Sequence, residues 1–317
     1  MDTRTKPVIT VNTESRGTRI KRFVMHNWRL WVLLLPAFAW LIVFCYAPMY
    51  GVQIAFKDYK VKMGITGSPW AGLKYFQQFF GTSIAVDSIV NTLLLSTYSL
   101  LWGFPIPIVF ALLLNMLRNQ KYKKFVQTIS FAPHFVSTVV VVTMMNIMFA
   151  PTNGFVNTII RSLGFEEILF MTRPEYFRSM YIGSGLWQDM GFNAIVYIAA
   201  LAGVSPELHE AAIVDGASKF KRLIHIDIPC ILPTVIIMFI LSVGNLFSVG
   251  YEKAFLMQGS LNTSVSEIIS TYVYKVGLQG AQYSFSAAVG LFNSVVNLIM
   301  LLAVNAISRK VSETSLF

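Results

Sequence analysis

Residues 88–117 read SIVNTLLLSTYSLLWGFPIPIVFALLLNML, a run without Asp, Glu, Lys or Arg between Asp87 and Arg118. A helix needs about 20 mostly apolar residues to cross the hydrocarbon core of a bilayer, so this run is long enough for one crossing. Four more uncharged runs lie at 30–56, 125–160, 228–251 and 276–308, and a sixth, 179–206, is broken only by Asp189. Lipid offers no partner to backbone N–H and C=O groups, so such crossings must be helices. Trimmed to the length of a span, the runs predict six helices at about 30–52, 91–117, 126–149, 179–202, 232–256 and 286–308. Pro105 and Pro107 predict a kink in the second of these rather than a site.

The composition agrees. Of 317 residues, 55% are hydrophobic and 13% charged, against about 25% charged in a soluble domain. So few charges cannot cover a globular core, which excludes a soluble enzyme, a disordered chain and a secreted disulfide scaffold. Cys45 and Cys230 lie far apart and carry no metal or redox spacing. The formal net charge is +10, and its placement decides its meaning. Basic residues crowd the N-terminal stretch, the 118–124 loop, Lys219, Lys221, Arg222 and the Arg309-Lys310 tail, while the alternate loops mix Lys and Arg with acids. By the positive-inside rule both termini face the cytoplasm. The excess therefore borders membrane spans, which removes a nucleic-acid reading.

Three regions follow: a cytoplasmic tail and interfacial helix over 1–29, a transmembrane domain over 30–308, and a cytoplasmic tail over 309–317. Within the first, residues 1–17 read as a disordered tail, and Arg19–Leu30, mixing aromatic and basic residues, suits a helix lying in the interface. The outer loops 53–88 and 150–178 are long enough to meet another protein.

The chain lacks the motifs of catalysis. No G-x-x-x-x-G-K-[ST] stretch is present to cradle ATP phosphates. His209-Glu210 starts like a zinc-protease motif, but Ile213 stands where the second His must be. The four histidines share no spacing, and Ser184 in Gly183-Ser184-Gly185 has no local base partner. The expectation is no catalytic residue, no metal and no cofactor bound by this chain, which leaves transport, anchoring or assembly.

The loop between the fourth and fifth spans, 203–230, is the most informative. Ser205 is a good N-cap, Pro206 fits the first helical position, Glu207 complements the helix dipole, and Gly216 tolerates the left-handed conformation that ends a helix. A second short helix is expected over about 218–226, ending before Pro229. The pair forms a protruding cytoplasmic knob.

Its wording, Glu210-Ala211-Ala212, Asp215-Gly216-Ala217 and Ile226-Asp227-Ile228-Pro229, resembles the EAA loop of binding-protein-dependent ABC importer permeases, with Ile228 where a Leu is usual. Elsewhere Tyr46-Ala47-Pro48-Met49-Tyr50-Gly51, Ser68-Pro69-Trp70-Ala71-Gly72-Leu73, Ala132-Pro133-His134-Phe135 and Ala288-Val289-Gly290-Leu291-Phe292 are similar to the LplB-type sugar permease branch, including the larger permease subunits of bacterial alginate importers. The resemblance implies an all-α polytopic membrane protein with the type I ABC importer permease fold. It also implies a second homologous permease, two ATP-binding cassette subunits carrying the ATP and Mg, an extracytoplasmic solute-binding protein and an oligosaccharide substrate, all at the bacterial inner membrane. In the coupling loop it points to Glu207, Glu210, Ala211, Ala212, Asp215, Gly216, Phe220 and Pro229, with Glu210 facing the ATPase cleft.

For the substrate pathway, an ionisable group inside a span is a functional candidate by default. Asp189 is the acid of the fourth span, near Trp187, Gln188 and Asn193; the fifth ends with Asn245, Ser248, Tyr251, Glu252 and Lys253. Aromatic faces with convergent hydrogen-bonding groups suit carbohydrate. The structural alternatives are an interhelical contact for Asp189 and an exposed interfacial pair for Glu252–Lys253. Asn91, Asn115, Asn293 and Asn297 read as helix–helix hydrogen-bond partners. A competing class, a stand-alone ion-coupled carrier or channel, would call for several buried acids and an internal repeat, neither of which the sequence displays.

Overall fold

The computed structural model describes residues 25–246 and 250–311; among these the regular structure is helical, joined by turns and irregular loops, with one isolated bridge between Lys57 and Trp70. The tail 1–17, the first half of the expected interfacial helix and the end of the C-terminal tail lie outside the described residues. The chain divides into two compact units, 1–53 and 54–317. In the first, α1 (Trp28–Leu41) widens into a π turn at Ile42–Tyr46 and tightens into a 3-10 stretch from Ala47. None of the α1 side chains is buried, which is stable only where an apolar environment replaces water.

The second unit begins with α2 (Lys74–Phe80), followed by α3 (Ser83–Gly103) and α4 (Pro105–Asn115). The last two form one long span, in which Pro105 starts the second segment just after Phe104. Next come α5 (Gln120–Phe131), prolonged by a 3-10 turn to Phe135, and α6 (Thr138–Met148), bent from that arm by 97° at Val136–Ser137. After α7 (Phe155–Ser162), α8 (Pro174–Ala202) is the fourth crossing, and α9 (Pro206–Val214) turns from it by 69°. Then α10 (Lys219–Arg222) runs through a π turn at Leu223–Asp227 into α11 (Ile228–Gly244). Finally α12 (Tyr251–Met257) precedes α13 (Tyr283–Val311). Among the described residues, four helices are long and apolar enough to cross a membrane, or up to six when each bent pair counts as one span.

Three expectations change. The third span is not a straight helix over 126–149, because Pro133 cannot continue the ladder and Ser137 caps a new helix by accepting from Val140 N–H. The fifth does not run to 256: it stops at Gly244, and α12 starts afresh at Tyr251. The short helix expected to end before Pro229 instead continues through it. Pro229 sits in the first turn of α11, and the wider π turn before it accommodates the missing N–H.

The spans are knitted at several depths. Ala111 and Leu112 of α4, Ala194, Tyr197 and Leu201 of α8 and Ile231 of α11 form one apolar cluster. A Cβ at Gly191 would overlap the Ser130 carbonyl, so α8 and α5 approach backbone to backbone. Buried amides hold the loops between the spans. Asn262 Nδ2 donates to Met171 O and Met257 O, both at 3.0 Å, while its Oδ1 accepts from Gly259 N and Ser266 Oγ. Asn91 donates to Ser264 O and Glu267 O and accepts from Arg178.

Candidate functional site

A cavity of about 410 Å³ opens between the second, fourth and fifth spans. Its wall carries Ser96 and Ser99 from α3, Asp189 and Asn193 from α8, Ser242 of α11, Asn245 at its C-cap, and Lys253 from α12. They come from four separate stretches of chain, and helical spacing aligns those that share a helix. Asp189 and Asn193 lie one turn apart on α8, as do Gly185 and Asp189. Phe104, Met190, Tyr197 and Met238 supply the apolar part.

The charged groups are individually held. Asp189 Oδ1 lies 2.9 Å from His134 Nδ1, and the His134 ring stacks flat on Phe192 with centroids 3.7 Å apart. His134 sits in the 3-10 turn that bends the third span, so that bend delivers the partner of the fourth-span acid. Lys253 is 9% exposed; its Nζ donates to Tyr181 O at 2.9 Å and lies 4.8 Å from the Tyr181 ring centroid. A Cβ at position 185 would stand 3.2 Å from that ammonium, so Gly185 leaves the space in which it rests.

Of the residues singled out for the pathway, Asp189, Asn193, Asn245 and Lys253 share this wall. Gln188 is buried and donates to Val136 O at 2.8 Å, tying α8 to the start of α6. Trp187 is half exposed and lies off the wall. Tyr251 stacks with Phe255 and Tyr274, and Glu252 is exposed, apart from buried Lys253. Ser248 lies outside the described residues. The sequence reading missed His134, Tyr181, Gly185 and Ser242. Its one available signal was Pro133, which marks a break in an apolar run.

The knob is the second constellation. Ser205 Oγ accepts from Glu207 N–H and opens α9. At the other end Gly216 has φ of 73°, with Gly216 N–H donating to Ile213 O and Ala217 N–H to Ala212 O at 2.8 Å. That paired closure requires a left-handed residue, which glycine supplies without a Cβ clash. No α9 residue is buried. Glu207, Glu210, Ala211 and Asp215 are exposed and Ala212 is half-buried. Ile213 is 56% exposed, Phe220 66% and Val214 87%, and Pro229 is exposed at the head of α11. The short helix thus leaves two acids and bare apolar side chains exposed.

The family of binding-protein-dependent transport system inner membrane components matches residues 77–313. The chain belongs to this family. This permease is 42% identical over 288 residues to protein LplB of Bacillus subtilis, covering 91% of each chain. It is 38% identical over 288 residues to the polygalacturonan/rhamnogalacturonan transport system permease protein YteP of the same organism, covering 91% of this chain and 90% of that one. Among solved structures it resembles a chain of a bacterial ABC transporter involved in import of the acidic polysaccharide alginate, at 38% identity and TM-score 0.86, covering 93% and 99% of the two chains. A chain of a bacterial alginate ABC transporter bound to an alginate pentasaccharide-loaded periplasmic protein gives TM-score 0.87 at 38% identity, covering 94% and 100%. The permease has the ABC importer permease fold, is embedded in the membrane, and leaves ATP hydrolysis to separate subunits.

Proposed function

We propose that this permease imports oligosaccharides, in particular acidic polysaccharide fragments such as those of alginate, as one of two homologous halves of a bacterial inner-membrane importer. Both termini face the cytoplasm, where two ATP-binding subunits carry the ATP and Mg, and an extracytoplasmic binding protein delivers the sugar. The observation that carries this reading is the wall on which hydroxyls, amides and two opposite charges converge beside aromatic and aliphatic surface. Sugars present many hydroxyls and apolar C–H faces, and such a wall meets both. The Lys253 ammonium uses one donor on Tyr181 O and has others for a uronate carboxylate. The relatives named for acidic polysaccharides support the substrate class.

The mechanism is alternating access. ATP-driven closure of the partner subunits displaces the knob, with Glu210 in the ATPase cleft, and the spans rock between inward-facing and outward-facing states. Asp189, Asn193 and Lys253 then offer their groups to one side of the membrane at a time. The test is to purify the permease with its sister permease, ATP-binding subunits and binding protein, and to measure ATP hydrolysis with uronic and neutral oligosaccharides. Stimulation by uronic oligosaccharides above neutral ones is expected; no stimulation by either overturns the reading.

A further inference from the structure

His209 began as the first half of a failed zinc motif, and nothing in the pathway or the docking face uses it. In the fold it has a partner. His209 Nε2 lies 3.3 Å from Asp227 Oδ1, with the Asp227 side chain 8% exposed and the His209 side chain 26%. The two belong to different elements. His209 is on α9, the knob itself, and Asp227 closes the π turn at the foot of α11. Within α9 only His209 and Ala212, one turn apart, are half-buried; the other side chains are exposed.

Beyond Ser205, which caps the helix locally, His209–Asp227 is the one polar or ionic side-chain tie of α9 among the described residues. The backbone connections at either end carry Gly203 and Gly216, which resist rotation poorly. A displacement of α9 passing only through those connectors would dissipate in them. Passing through the ion pair, it pulls directly on the foot of α11, whose far end carries Ser242 and Asn245 on the cavity wall. The pair borders a second cavity of about 530 Å³, where Arg118, Lys219 and Arg222 also face Glu210 and Asp227. Arg222 Nε and Asp227 Oδ1 are both buried there without a hydrogen bond, so His209 meets Asp227 as a close polar contact at 3.3 Å. Asp227 is thus the buried acid of a basic recess, and the knob meets it through His209.

We propose that His209 and Asp227 are positioning residues for transport: their pairing is the strut that transmits movement of the knob to the fifth span. The inference rests on α9 being the ATPase-docking element. It is tested in the complete complex by counting sugar molecules accumulated per ATP hydrolysed in proteoliposomes, with copurification of the ATP-binding subunits as the measure of docking. His209→Ala and Asp227→Ala should each lower that ratio at least about twofold, the low end of coupling between directly paired residues, with copurification unchanged. The double variant should be no worse than either single one. His209→Gln, whose amide nitrogen reaches as far as imidazole Nε2, should recover much of the ratio. A wild-type ratio in the alanine variants, or additive losses in the double variant, overturns the strut. Loss of copurification in Glu210→Ala with an unchanged His209→Ala ratio would leave docking standing and remove only the strut, while normal copurification and stimulation in Glu210→Ala would remove the docking assignment itself.

Discussion

His134 Nδ1 and Asp189 Oδ1 stand 2.9 Å apart, joining the bend of the third span to the middle of the fourth. Their side chains are 32% and 46% exposed, and a pair this open contributes under about 1 kcal/mol to stability. The arrangement is therefore better suited to fixing a carboxylate on the cavity wall than to holding helices together. His134→Ala and Asp189→Ala are expected to leave the thermal unfolding of the purified complex nearly unchanged. Sugar uptake should fall about tenfold, the effect of roughly 1.4 kcal/mol of lost interaction with the passing substrate. Asp189→Asn, which keeps the acceptor, should fall less. A stability loss matching the loss of uptake would make the pair structural.

Close helix approach gives a second prediction of the opposite kind. Gly191→Ala places a methyl into the Ser130 carbonyl, which is backbone and cannot rotate away. Overpacking of this sort costs about 1–3 kcal/mol, and the change should appear as a lower unfolding temperature in detergent. Gly183→Ala, where nothing lies within 4 Å, is the matched control and should be neutral.

How much of this was written in the sequence follows the range of the interactions. The number of spans was legible because each uncharged run carries its own signal. The knob was legible because Ser205, Pro206 and Gly216 act on the backbone within one turn of themselves. The cavity was legible only in part. Asp189, Asn193, Asn245 and Lys253 stood out as polar groups in apolar runs, but His134 meets Asp189 across the fold, and no local pattern joins them. Gln188 looked like a sugar ligand by type, yet its helix face turns it to Val136 O. The bend at Pro133 and the stop at Gly244 escaped because a count of charges is blind to helix breaks within an apolar run.

The knob yields a third prediction. Gly216→Pro cannot reach the observed φ of 73°, and Glu210→Ala removes the acid from the docking face. Both should abolish sugar-stimulated ATP hydrolysis while the permease still inserts and assembles with its sister chain. Gly216→Asn, which tolerates the left-handed region better than most residues, should retain much of it.

A fourth concerns the loop over 53–88. The Tyr75 hydroxyl donating to Asp58, aided by the Lys74 ammonium 3.9 Å away, holds the Asp58 carboxyl below its ordinary value. Burial and the neighbouring Asp58 push the Tyr75 phenol up. A depressed acid contributes stability above its unfolded value and loses it as pH falls through the folded one. The Asp58–Tyr75 tie should therefore persist from neutral pH through the usual carboxylate range and release only below it. Tyr75→Phe should move the Asp58 carboxylate infrared band to titrate at higher pH.

The most direct measurement asks whether oligosaccharide passes along the wall shared by Asp189, Asn193 and Lys253. Cys45 and Cys230 are free and exposed, so both are first replaced by Ser, and Asn193→Cys is introduced as the only thiol of this chain. In the complete complex, with a uronic oligosaccharide that demonstrably stimulates ATP hydrolysis, a small water-soluble thiol reagent should modify position 193. Turnover of the sugar should slow that modification, whereas the same sugar should leave the rate unchanged at Trp187→Cys, which lies off the wall. A thiol at 193 that reacts equally fast with and without a stimulating sugar would contradict this route.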